Sequence, residues 1–63
     1  MCDLNAYVKK QGKEELLLES VNQVRVENGE VTVRNLFGEE KKIRGAVNEV
    51  SLVKNRVVIE ASS

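Results

Sequence analysis

Apolar residues in this chain recur mainly at every second position, in short runs divided by turn-forming residues, which is the period of a half-buried strand. Leu4, Ala6 and Val8 alternate with Asp3, Asn5, Tyr7 and Lys9, predicting a first strand from about residue 2 to residue 9. Gln11-Gly12-Lys13 is a turn signal, after which Glu15 to Ser20 reads as a second strand. Glu14 to Glu19 consists of good helix formers, but six residues between a glycine and a β-rich stretch make a marginal helix.

The strongest local signal is Asn28-Gly29, because both residues tolerate the positive φ that a two-residue hairpin turn demands. With that loop, Glu27 faces Glu30, Val26 faces Val31 and Val24 faces Val33, so the valines share one face while Arg25 and Thr32 share the other. A second hairpin is predicted around Lys54-Asn55, pairing Leu52 with Val57, Val50 with Ile59 and Ser51 with Val58. Lysine resists positive φ, so this turn is weaker. Between the hairpins, Phe37-Gly38-Glu39-Glu40 reads as a turn, Lys42 to Arg44 as a short strand, and Gly45 as a bend or bulge before Ala46.

These pieces predict one all-β domain spanning residues 1–63, a small antiparallel β-barrel or sandwich of about six to seven short strands. Composition agrees: eleven valines, two isoleucines and one threonine stand against three alanines. A core built from 63 residues is thin, near break-even against conformational entropy. No proline guards an edge strand, so self-association is the direct remedy and a homodimer is expected.

Charge and rare residues narrow the chemistry. Ten basic and ten acidic side chains cancel, which argues against a strong nucleic-acid or anionic-membrane footprint. The absence of histidine removes the Ser-His-Asp triad and the imidazole metal sites. A single cysteine cannot form an internal disulfide. The first twenty residues carry Asp3, Lys9, Lys10, Lys13, Glu14 and Glu15 and so lack an apolar signal core, and the longest apolar run is Leu16-Leu17-Leu18. A soluble, cytoplasmic protein that keeps its thiol reduced is expected.

Cys2 is the reactive candidate. A free cysteine is often only a small buried hydrophobe, but this one stands beside an α-amino group that titrates near neutrality. With Met1 retained, its amine, the deprotonated Cys2 amide and the Cys2 thiolate form two fused five-membered chelate rings. With Met1 removed, the Cys2 amine and thiolate form one. Either way a single chain supplies an incomplete donor set, which a symmetric partner would complete. Nitrogen and thiolate donors in a planar array suit Ni(II) or Cu(II), whereas zinc asks for a tetrahedral site that this chain alone cannot build. Asp3 offers an oxygen donor or a group to orient a water, although the alternation turns it outward on the first strand, which favours a surface role.

Other clusters point to solvated surface. Glu14-Glu15 and Glu39-Glu40 are sequence neighbours whose side chains leave a strand on opposite faces, so neither pair converges on a substrate. No nucleophile–base pair or phosphate loop is present, and the chain reads as a non-enzyme. Small β-barrels do bind RNA, through stacked aromatics and basic grooves. Here the aromatics are only Tyr7 and Phe37, the latter expected as a core or dimer-interface anchor. The basic clusters Lys9, Lys10, Lys13 and Lys41, Lys42, Arg44 each lie beside acidic residues. An RNA-binding β-barrel module is the alternative reading, and a purely structural domain with a buried Cys2 is a third.

Several segments occur in a recognisable order: Met1-Cys2, then Ala6-Tyr7-Val8, then Asn28-Gly29-Glu30 with Val31-Thr32-Val33, then Leu36-Phe37-Gly38-Glu39-Glu40-Lys41 with Ile43 and Gly45. Over nearly the whole chain they resemble the CooT family of nickel-binding accessory proteins of carbon monoxide dehydrogenase maturation; similar sequences also carry an RNA-binding label. The resemblance implies a homodimeric β-protein holding one Ni(II) per dimer through the cysteine after the initiator methionine. That role falls on Cys2, with Met1 as a backbone donor. It also implies a client metalloenzyme, carbon monoxide dehydrogenase or a relative, with no membrane partner.

Overall fold

Asn28 and Gly29 adopt φ of +51° and +76°, and the hairpin they close has the register that the alternation predicts. In a computed structural model that describes residues 4–62, β2 (Lys13–Glu27) and β3 (Glu30–Asn35) pair Glu27 with Glu30, Val26 with Val31, Arg25 with Thr32 and Val24 with Val33. The remaining strands are β1 (Leu4–Lys10), β4 (Glu40–Ser51) and β5 (Arg56–Ala61). They join in the order β1-β2-β3-β4-β5 and the ring closes into a barrel. Residues 1–3, and with them the expected ligands Met1 and Cys2, lie outside the described residues.

The strand count is five rather than six to seven, because two expected breaks are corners inside continuous strands. β2 pairs with β1 as far as Val21, opposite Leu4, and with β3 from Val21 onward, opposite Asn35. Ser20 supplies the bend with φ of +57°. β4 pairs with β3 up to Arg44 and with β5 from Gly45 onward. At Gly45 an added Cβ would meet the Glu60 carbonyl carbon at 2.9 Å and collide with its oxygen, so only glycine lets the strands approach there. Closure is through β1 and β5, which run parallel, with Ala6 opposite Val57 and Val8 opposite Ile59. The other four pairings are antiparallel, as expected, and that seam is the parallel exception.

The β4–β5 hairpin also differs from expectation. Its turn holds four residues, Leu52 to Asn55, and Val50 pairs with Val57, Ser51 with Arg56 and Glu49 with Val58. The expected partners Leu52–Val57 and Val50–Ile59 are thus displaced, since Leu52 belongs to the turn and Val47 takes Ile59 after a bulge. Inside the ring, Ala6, Leu18, Val21, Val31, Val33, Val57 and Ile59 form the core, with Leu4, Leu17, Ile43 and Val47 packed against it. Phe37 is not part of it: the side chain is 75% exposed in the β3–β4 turn.

Candidate functional site

β1 begins at Leu4, opposite Val21 of β2, and Asn5 sits opposite Arg56 of β5. The Asn5 amide donates to the Asn55 carbonyl at 2.9 Å, tying the start of β1 to the β4–β5 turn. Cys2, the expected ligand, lies outside the described residues. Among the described residues no three acidic, cysteine or histidine side chains converge as a metal site.

The acidic and basic clusters are dispersed by the strands. Glu14 lies opposite Lys9 and forms an ion pair with Arg56, while Glu15 lies opposite Val8. Glu39 accepts from the Asn35 amide nitrogen Nδ2 at 2.8 Å, while Glu40 lies opposite Arg34. Lys9, Lys10 and Lys13 surround the β1–β2 turn. Lys41 lies opposite the buried Val33, and Lys42 opposite Thr32, so these neighbours leave β4 on different faces.

Three features have only a weak trace in the sequence. On the outer face of β2, β3 and β4, Arg25, Thr32 and Lys42 form one cross-strand row and Gln23, Arg34 and Glu40 the next, around a depression of about 220 Å³. Glu27 lines it too, so positive and negative charges mix. Across β1 and β5, the Arg56 guanidinium lies over the Tyr7 ring, 4.7 Å from its centroid. Asn35, 4% exposed, organises the β3–β4 turn: its Oδ1 accepts from Phe37 at 3.0 Å and Glu39 at 2.8 Å. An asparagine just ahead of a Phe-Gly turn is the signal that reveals this last feature.

With this geometry in place, comparison with known proteins is decisive about kinship. The family described as CO dehydrogenase accessory protein CooT matches residues 1–60. The chain belongs to the CooT family. A crystal structure from Carboxydothermus hydrogenoformans, provisionally named a CooT, superposes with a TM-score of 0.85 at 29% identity, covering 98% of this chain and 100% of that one. No curated protein matches the chain. The CooT match includes positions 1 and 2 and therefore spans the Met1-Cys2 pair that carries the candidate chemistry.

Proposed function

We propose that this CooT-family chain is a nickel(II)-binding accessory protein that carries the ion as cargo toward carbon monoxide dehydrogenase or a related metalloenzyme, by delivery or storage. The ligands are the Cys2 thiolates of two chains together with terminal backbone nitrogens, Met1 among them, in a cytoplasmic homodimer. The observation that carries this reading is the family match from residue 1, in a chain whose only thiol stands at position 2. Donor chemistry supports it. With no histidine and one cysteine, soft donors exist only at the terminus, and thiolate with amine and amide nitrogen favours a square-planar d⁸ ion. Because one chain holds one thiolate, the ion and the dimer belong together.

Titrating Ni(II) into the reduced protein tests this. A thiolate-to-nickel charge-transfer band should grow and saturate at one ion per two chains, and Cys2→Ser should abolish it. An unchanged band and stoichiometry in Cys2→Ser would remove Cys2 from the site and end the proposal.

A further inference from the structure

β2 has a neighbour on each side, but each along only part of its length. Between Lys13 and Val21 it pairs with β1, and from Val21 to Glu27 with β3. Contact on the β3 side ends where the Leu36 amide donates to the Ser20 carbonyl at 3.1 Å. The chain then turns through Phe37 and Gly38 into β4, across β3. From Glu14 to Glu19, the side of β2 away from β1 thus has no strand beside it among the described residues. An open edge of this kind presents unpaired N–H and C=O groups to any extended chain that reaches it.

The pairing of β1 with β2 fixes which groups those are. Gln11 and Gly12, at φ of +52° and +81°, form a two-residue turn, so the flanking Lys10 and Lys13 exchange hydrogen bonds. Glu14 and Leu16, opposite Lys9 and Tyr7, then fall at the alternate positions, whose N–H and C=O point away from β1. Beside them, Leu16, Leu17 and Leu18 line a groove of about 310 Å³ together with Phe37. Adjacent side chains leave a strand on opposite faces, so three consecutive residues share this groove because it follows the strand's edge. Leu16 and Phe37 stay exposed, leaving apolar surface for an occupant. Among the groove's charged residues Glu19 and Glu39 outweigh Lys41, and Glu14 and Glu15 stand exposed on the same strand.

We propose that the β2 edge from Glu14 to Glu19 is a strand-addition site for an extended segment of another protein, one whose apolar side chains alternate with lysine or arginine. Main-chain bonds to Glu14 and Leu16 hold the segment, Leu16 and Phe37 receive its apolar side chains, and Glu19 and Glu39 attract its cations. A second copy of this chain fits poorly, because antiparallel pairing of two such edges centred on Leu17 sets Glu15 against Glu19 at both ends. Nucleic acid meets the same excess of carboxylates. The site uses no metal and no terminal residue, so it goes beyond the nickel reading and stands without it.

The test titrates the full, metal-free chain with a short synthetic peptide alternating lysine and valine, followed by amide NMR. The Glu14 and Leu16 amides should shift and gain hydrogen-exchange protection as the peptide saturates. Its fully N-methylated form, which has no backbone donor, should not bind, and a form with glutamate in place of lysine should bind at least about fivefold more weakly. Phe37→Ser and Glu19→Lys, both at exposed positions and checked for folding by thermal melts, should each raise the dissociation constant at least about fivefold. Absence of saturable binding, binding that survives N-methylation, or shifts centred on Arg25 and Lys42 instead of the β2 edge would overturn the proposal. So would Leu16 protection that appears without peptide and grows with chain concentration, since the edge would then serve self-association.

Discussion

Replacing Gly45 by alanine addresses the corner on which the ring depends. Here β4 leaves β3 and joins β5, at φ of +156°, and the Gly45 amide donates to the Gly29 carbonyl at 2.9 Å. A Cβ at this position lies 3.1 Å from the Ala61 Cα and 2.9 Å from the Glu60 carbonyl carbon, backbone atoms that cannot rotate away. The strands must separate, loosening the neighbouring bond from the Ser62 amide to the Arg44 carbonyl, now 2.9 Å. An L-residue at this φ costs about 1 kcal/mol, and each disturbed backbone bond about 1 kcal/mol more. A loss of about 3 kcal/mol is expected, against a total near 3–9 kcal/mol for a domain of this size. Gly12→Ala supplies the control, since Gly12 has φ of +81° but open space around its missing Cβ, leaving only the dihedral cost. Urea denaturation at a slope of about 1 kcal/mol/M should move the Gly45→Ala midpoint down by about 3 M and the Gly12→Ala midpoint by about 1 M. Equal shifts in the two variants would refute the collision argument.

Other outcomes follow from the same contacts. Ile59→Ala empties a fully buried site at the centre of the core and should cost about 2–5 kcal/mol, read by chemical denaturation. Asn35→Ala removes the Oδ1 acceptor from the Phe37 and Glu39 amides and should cost about 2 kcal/mol, with faster amide exchange confined to residues 36–39. Glu14→Gln breaks the ion pair with the half-exposed Arg56 and should cost less than about 1 kcal/mol in a melt. On the proposed nickel-binding function, nickel at about one hundred times its dissociation constant should stabilise the wild-type protein by about 2.7 kcal/mol, and chelator or Cys2→Ser should remove that gain.

Side-chain alternation and turn chemistry carry much of this fold, but only locally. The Asn28-Gly29 hairpin is readable to the residue because its turn type sets its register. The last hairpin is readable in facing but not in pairing: relative to expectation its register near the turn is displaced by two residues, a slip that leaves every side chain on its own face and so escapes the pattern. Gly45 reads as a bend and is one, whereas Ser20 reads as a strand end because nothing in its sequence announces a positive φ; both bend strands that then change partners. Leu52 and Val53 look like strand residues for the same reason that makes them notable, being apolar where a turn needs no apolar group. The parallel β1–β5 seam joins the two ends of the fold and has no local signature. The reading of Cys2 comes from its position and from the residues the chain lacks, and it falls outside the described residues.

That seam has a kinetic consequence. Every other strand pair joins consecutive strands, whereas the seam sets Ala6 against Val57 and Lys9 against Glu60. Loop-closure entropy makes such distant pairing slow, on the millisecond-to-second side of the range for small domains. The hairpins can form early, but the β1–β5 side of β1 stays open until the last strand arrives. Refolding after a denaturant jump should therefore show late protection of the Tyr7 and Ile59 amides. The start of β1, whose Asn5 amide is bonded to the Asn55 carbonyl, is thus fastened on its β5 side only in chains that have finished the ring, so the two ends of the described chain are brought together by the slowest contact in the fold.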